Sequence, residues 1–184
     1  MSKHLKEVGR LLSLVLRHEP GHIGITLDQE GYVSVDDLLA ALDRHGKAID
    51  RAGLEWIVAE NNKQRFSFSA DGTRIRANQG HSVTVDLGLT PVEPPEYLYH
   101  GTADTSVASI LREGLKSQSR QHVHLSAEVG TATQIGSRHG KPMILQVAAG
   151  TLFRGGHVFY QSANGVWLTD HVPNDALSLN AHQP

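Results

Sequence analysis

No cysteine occurs in the chain, so disulfides, thiolate metal sites and a Cys nucleophile are all excluded. Long apolar runs are missing as well. No stretch approaches the ~20 residues that span a bilayer, and Met1-Ser2-Lys3-His4 leads into an amphipathic pattern instead of a signal-peptide block. These absences predict a soluble, cytoplasmic protein with no membrane partner. An excess of positive charge is also lacking. The first 85 residues carry 11 basic against 11 acidic side chains and the remainder 6 against 8, for a formal net charge of −2. Neither part is a basic glove, so any nucleic acid must be held by a few placed arginines and not by counterion release from a broad surface. No Gly-x-Gly-x-x-Gly turn is present, which removes the doubly wound dinucleotide fold, and there is no internal repeat.

What is present is ample for packing: 184 residues with 39% apolar content can fill one large core or two small ones. Leu5, Val8, Leu11, Leu12, Val15 and Leu16 recur at helical steps, predicting an amphipathic helix over about 3–18 that Pro20 stops, with Arg17 and His18 at its C-terminal end. Cations there are also favoured by the helix dipole, so a capping role for the pair is open. Ser34 can cap a helix bearing Val35, Leu38, Leu39 and Leu42, which Gly46 ends, and Asp50 can cap another bearing Leu54, Ile57 and Val58 that runs to Asn61-Asn62. Phe66 and Phe68 then alternate with Arg65 and Ser67, Asp71-Gly72 turns, and Ile75 alternates with Arg74 and Arg76. Three helices and a hairpin read as a winged-helix module over 1–85, with Arg65 facing outward, opposite the phenylalanines.

Pro91, Pro94 and Pro95 make 86–96 a semi-rigid connector to a second lobe, 97–184. That lobe opens on Tyr97-Leu98-Tyr99-His100-Gly101-Thr102, an apolar-aromatic strand that delivers a histidine and an open backbone. Val123-His124-Leu125-Ser126 is a second such strand. Two histidines on adjacent strands suit a flat amide and a ribose better than a metal, although a strand histidine taken singly, among the 12 present, is more often a satisfied core or edge residue. Helices near 106–112 and 127–138 and strands at 143–147, 157–160, 165–169 and 177–179 complete a mixed α+β unit, with Gly155-Gly156 as a turn.

Six stretches in fixed order now carry a resemblance over Leu12 to Thr169. They are Leu14-Val15-Leu16-Arg17-His18, Lys63-Gln64-Arg65-Phe66-Ser67, Ile75-Arg76-Ala77-Asn78-Gln79-Gly80-His81-Ser82, Tyr99-His100-Gly101-Thr102, Arg120-Gln121-His122-Val123-His124-Leu125-Ser126 and Asn164-Gly165-Val166-Trp167-Leu168-Thr169. Together they resemble the RNA 2′-phosphotransferase family, known best as the tRNA 2′-phosphotransferases of tRNA splicing and RNA repair. The resemblance implies an N-terminal winged-helix RNA-binding lobe and a C-terminal ADP-ribosyltransferase-like lobe with a mixed β-sheet. It implies a catalytic set that falls on Arg17, His18, Arg65 and Arg120, and an NAD+ site on His100, Gly101, Thr102, His124, Ser126 and Val166. It implies no metal. NAD+ enters as a co-substrate, and the protein is expected to act as a monomer on RNA bearing a 2′-phosphate.

The implied reaction has two steps. The RNA 2′-phosphate attacks the nicotinamide-bearing ribose carbon of NAD+ and expels nicotinamide; the ribose 2″-hydroxyl then attacks phosphorus, releasing 2′-hydroxyl RNA and ADP-ribose 1″,2″-cyclic phosphate. Arginines suit this chemistry because their planar fork grips paired phosphate oxygens. Many ADP-ribosyltransferases place a glutamate where Val166 falls. An anionic phosphate nucleophile needs no general base there, and a carboxylate would repel it by ~1–4 kcal/mol. A β-branched strand residue at 166 is equally compatible with plain packing. Two alternatives stand beside this reading: an ADP-ribosyltransferase acting on terminal nucleic-acid phosphates or on protein without the second step, and a winged-helix regulator with an NAD-sensing lobe. The latter would need a basic recognition helix, yet Arg51-Ala52-Gly53-Leu54-Glu55-Trp56 offers one arginine and a glutamate.

Overall fold

Helical spacing puts Val8, Leu12 and Val15 on one face of α1 (Lys3–Val15), where all three are fully buried. The computed structural model describes residues 3–138, 140–181 and 183, and it is a mixed α+β protein. Its chain falls into two compact units, Met1–Gly88 and Leu89–Pro184, each with a hydrophobic core of its own.

In the N-terminal unit α1 ends at Val15, short of the expected Arg17-His18. The reason is the carbonyl of Leu14, which accepts from the N–H groups of Arg17 (3.4 Å), His18 (2.8 Å) and Glu19 (3.0 Å) and winds the last turn closed before Pro20 is reached. Pro20 opens a 3₁₀ turn, Pro20–Ile23. Ser34 caps α2 (Val35–Arg44) by accepting from the Asp37 N–H, and Asp50 caps α3 (Arg51–Ala59) by accepting from the Gly53 N–H. Helix α3 stops at Ala59, before the expected Asn61-Asn62, because Asn61 folds a turn of its own. Its side chain accepts from the Lys63 N–H at 3.1 Å and its carbonyl from the Gln64 N–H at 2.7 Å.

The expected hairpin is β2 (Phe66–Phe68) and β3 (Arg74–Ala77), and a strand not foreseen, β1 (Val33–Ser34), pairs on the other side of β3 to give the antiparallel order β1-β3-β2. Asp71 organises the turn, accepting from the Ser69 hydroxyl and from both the N–H and hydroxyl of Thr73; these bonds hold its carboxyl down to about 2. Leu12, Leu38, Leu42, Leu54, Ile57 and Ile75 meet at the centre of this unit's core. Burying each contributes roughly 1.5–3 kcal/mol.

The C-terminal unit runs β4 (Leu98–Ala103), α4 (Asp104–Glu113), β5 (Leu115–Lys116), β6 (Val123–Leu125), α5 (Val129–Gly136), β7 (Pro142–Val147), α6 (Ala149–Arg154), β8 (Tyr160–Gln161), β9 (Trp167–Thr169), β10 (His171–Val172) and β11 (Leu177–Leu179). Where the resemblance implies a mixed sheet, the described strands form two three-stranded antiparallel sheets, β11-β7-β4 and β6-β9-β8, and a two-stranded ribbon, β10-β5. One bridge joins the two larger sheets: Tyr99 and Ser126 exchange both N–H···O bonds, at 2.8 and 2.9 Å. That pairing lays β4 beside β6.

Two expectations shift here. The strand expected at 157–160 starts only at Tyr160. The reason is α6, which sequence periodicity does not reveal; its exit turn takes the His157 N–H back to the Leu152 carbonyl, while Phe159 is buried with its carbonyl bonded to the Val92 N–H. The strand expected over 165–169 loses its first two residues to a turn closed by Ser162. The stretch 86–96 is tied at several points: the Asp86 N–H bonds to the Gln29 carbonyl, the Gly150 N–H to the Glu96 carbonyl, and Glu96 pairs with Arg154 at 2.9 Å. At the far end Gln183 clips β7, its amide accepting from the Ile144 N–H at 2.8 Å and donating to the Ile144 carbonyl at 2.9 Å. Among the described residues no helix is long and apolar enough to cross a membrane.

Candidate active site

In the N-terminal unit the structure gathers Arg17 and His18 with the segment Gly80-His81-Ser82-Val83. The Ser82 and Val83 N–H groups both donate to the Arg17 carbonyl, at 2.9 and 3.4 Å, and the His18 Nδ1 lies 2.9 Å from the Ser82 hydroxyl. Arg17 is half-buried, with its Nε and Nη2 shut off from solvent. Beneath the pair, His81 is only 2% exposed and neither ring nitrogen has a hydrogen-bond partner among the described residues. Burial, reinforced by the cations Arg17, His18 and Arg76 around it, pushes this imidazole from 6.5 down to about 4. Arg17, His18, Arg76 and His81 thus lie close together, and the His81 ring is held neutral chiefly by its burial.

Arg65 is held from both sides. Its carbonyl accepts from the Asn78 N–H at 2.8 Å, the carbonyl of Gln64 before it accepts from the Asn78 side-chain amide at 2.6 Å, and its Nη1 donates to Asn61 at 3.3 Å. Asn78 is 6% exposed and its remaining oxygen accepts from the Ser67 hydroxyl, so this buried amide is satisfied and stiff. Arg65 immediately precedes β2 and is half-buried, where strand alternation alone predicts an outward, solvated side chain. Arg74 is already neutralised, pairing with Asp28 at 2.8 Å, and it shares the Tyr32 ring with Arg76. Alternation alone does not reveal either engagement.

In the C-terminal unit the two histidines stand on neighbouring strands and form a chain with Arg120. Arg120 Nη1 is 3.0 Å from His124 Nδ1, and the His124 carbonyl is 3.1 Å from His100 Nδ1. A guanidinium only donates, so His124 Nδ1 is bare and the ring carries its proton on Nε2. A carbonyl only accepts, so His100 carries its proton on Nδ1. Burial, together with the field of Arg120 and against the helping carbonyl, lowers the His100 pKa and keeps that ring neutral, with Nε2 an acceptor. The two rings are therefore held in opposite tautomers, His124 protonated on Nε2 and His100 on Nδ1.

The glycine beside His100 has a packing reason. A Cβ on Gly101 would fall on the Ala132 carbonyl of α5, and one on Gly136 would lie 2.9 Å from the Thr102 carbonyl, so the two glycines let α5 sit directly against β4. Thr102 is buried there, and Ser126 makes the bridge to Tyr99. Val166 is half-buried and lies in the turn before β9 and not in a strand; its N–H donates to the Ser162 hydroxyl and its carbonyl accepts from the Ser162 N–H. Among the described residues just two non-glycines have positive φ, Gln64 (42°) and Gln118 (56°), one residue before Arg65 and two before Arg120. Such backbone geometry costs energy and collects at functional sites.

A family model described as RNA 2′-phosphotransferase, Tpt1 / KptA family, matches residues 3–171. The chain belongs to the RNA 2′-phosphotransferase family. Among similar members, a probable RNA 2′-phosphotransferase of Agrobacterium fabrum is 55% identical over 172 residues, covering 94% of this chain and 92% of that protein. A protein of the same description from Streptomyces griseus is 53% identical over 180 residues, covering 94% and 95%, and one from Hahella chejuensis is 53% identical over 179 residues, covering 97% and 96%. Within this RNA 2′-phosphotransferase family member, the residues that the sequence left without a role are Asn61, Asn78, His81 and Ser82. Asn78, His81 and Ser82 stand in one of the matching stretches, and that was the available signal; the contact of the Ser82 hydroxyl with His18, 64 positions away, was not.

Proposed function

We propose that this protein is an NAD+-dependent RNA 2′-phosphotransferase. Its family supports the removal of a 2′-phosphate from RNA; the co-substrate and the route are our reading. The N-terminal unit would be the winged-helix, RNA-binding lobe and the C-terminal unit the ADP-ribosyltransferase-like lobe, acting as a cytoplasmic monomer in tRNA splicing or RNA repair. One observation carries the NAD+ assignment: the chain from Arg120 through His124 to His100, which joins a guanidinium to a donor-acceptor histidine pair. A carboxamide and a ribose hydroxyl are donor-acceptor groups and fit that pair; neutral, tautomerically fixed rings at His100 and His124 hold them without repelling a cationic nicotinamide. Gly101, Thr102, Ser126 and Val166, which the resemblance also places at the site, complete the proposed set.

On this reading the RNA 2′-phosphate attacks C1″ of the ribose as the C–N bond to nicotinamide breaks, with Arg17, His18, Arg65 and Arg120 as the proposed catalytic set. The leaving group departs neutral, so the step asks for alignment and not for acid. The ribose 2″-oxygen then attacks phosphorus, its proton passing to the RNA 2′-oxygen as that P–O bond breaks. Oxygen charge grows here, and fixed donors from arginine strengthen as it does. At 166 there is no carboxylate to oppose the incoming phosphate. The test is incubation with NAD+ and an oligonucleotide carrying one internal 2′-phosphate, with products resolved. Release of nicotinamide, ADP-ribose 1″,2″-cyclic phosphate and 2′-hydroxyl RNA is expected. A retained ADP-ribose on the RNA, or free inorganic phosphate, would refute the two-step route.

A further inference from the structure

We propose that Ser82 is a positioning residue that holds His18 with its Nε2 proton directed to the substrate phosphate; this rests on the function proposed above. The observation is the 2.9 Å contact between the Ser82 hydroxyl and His18 Nδ1, made from a segment whose Ser82 and Val83 N–H groups also bind the Arg17 carbonyl. Main-chain bonds therefore place the Ser82 side chain, and the side chain places the ring.

The identity of the partner matters. A phosphate only accepts hydrogen bonds, so His18 can contribute to it only through an N–H. A carbonyl or carboxylate at Nδ1 would hold the proton there and leave a neutral ring with a bare Nε2, turned toward phosphate as a repelling lone pair. A hydroxyl is ambivalent. It can donate to a bare Nδ1 when His18 is neutral and accept from Nδ1–H when His18 is charged, the arrangement proposed here, in which Nε2 keeps its hydrogen in both states. His18 thus remains a donor whether or not a proton has been taken up. The opposite arrangement exists in the same protein: His100, facing a main-chain carbonyl, is held as the Nδ1–H form.

The test uses the full chain with Ser82→Ala and Ser82→Thr. Ser82 is exposed, so neither substitution removes core packing, and matched melting curves confirm folding. Two-bond ¹H–¹⁵N spectra at mildly alkaline pH, with His18 assigned by its loss in His18→Gln, read the tautomer directly. Wild type and Ser82→Thr should show the Nε2–H form and Ser82→Ala a mixture. In turnover of 2′-phosphorylated RNA, Ser82→Ala should lose roughly 5- to 10-fold in kcat, the worth of one modest hydrogen bond, with KM for NAD+ unchanged and the rate restored by threonine. If wild-type His18 is Nδ1–H, or if Ser82→Ala leaves either the tautomer or kcat unmoved, the proposal is wrong. Should the wild type turn over nothing, the function proposed above fails, and the tautomer spectra alone decide whether Ser82 orients His18.

Discussion

Acidifying this protein from pH 7 to pH 4.5 should destabilise it through His81, and by an amount that can be worked out. The imidazole ionises near its ordinary 6.5 once the chain unfolds but only at about 4 in the folded state. Above 6.5 it is neutral in both states and costs nothing. Between the two values the unfolded chain binds a proton that the folded chain refuses, so stability falls with falling pH, at up to about 1.4 kcal/mol for each tenfold rise in proton activity. The full difference amounts to about 3 kcal/mol, of which about 2 kcal/mol lies between pH 7 and pH 4.5. Glu7, Glu96 and Glu113, each held by a cation below the ordinary 4.5, begin to contribute as the pH nears that value, so the window is best closed there. The assay is urea unfolding at half-unit pH steps for the wild type and for His81→Gln, which cannot ionise. The difference between the two curves isolates one group from the protein's other histidines. His81→Gln should lose about 2 kcal/mol less on acidification than the wild type, whatever its stability at pH 7. Parallel curves would mean that His81 is solvated or protonated in the folded protein, and its buried place beside Arg17, His18 and Arg76 would have to be redrawn.

Arg65→Ala or Arg120→Ala should slow transesterification by ~10²–10³-fold, the cost of one preorganised donor, and ADP-ribosylation less, so that RNA-2′-phospho-ADP-ribose accumulates in single-turnover gels; equal slowing with no intermediate would reduce both residues to substrate binding. Gly101→Ala should cost ~1–3 kcal/mol or more, because its methyl meets the Ala132 carbonyl. A thermal melt matching the wild type would disprove the close approach of α5 to β4. Phosphate removal should require NAD+ and survive EDTA, since arginines supply the charge at phosphorus; activity without NAD+, or its loss to the chelator, would contradict the mechanism.

Elements whose signals are local were legible in the chain. Ser34 and Asp50 announced α2 and α3 because a cap and an apolar stripe lie within a few residues of each other, and Asp71-Gly72 announced its hairpin for the same reason. Helix α6 was hidden because Ala149–Arg154 is short and has no capping side chain, and missing it carried the next strand to the wrong start. Candidate side chains could be named from their stretches, but what surrounds them could not. Asn78 reaching back to Gln64, and Ser82 reaching back to His18, are contacts across the fold with no sequence period. Gly101 shows the converse: the sequence suggested a backbone left open to a ligand, and the packing fills that space with the Ala132 carbonyl of α5.

The clip at Gln183 bears on how the protein is made. Strand β7 is the middle of its sheet, and the neighbour on one side, β11, together with the Gln183 amide, comes from residues 177–183. The strands of the N-terminal sheet all lie between Val33 and Ala77. A chain leaving the ribosome presents its early parts first, so the N-terminal unit can close while the other is still being translated. Strand β7, by contrast, emerges with one edge open and stays so until some thirty further residues have followed (from Val147 to Leu177). During that interval it displays unpaired N–H and C=O groups beside the buried side chains Ile144, Leu145 and Val147, the combination that invites intermolecular pairing. Nascent chains stalled in this span are where chaperone engagement and aggregation should concentrate.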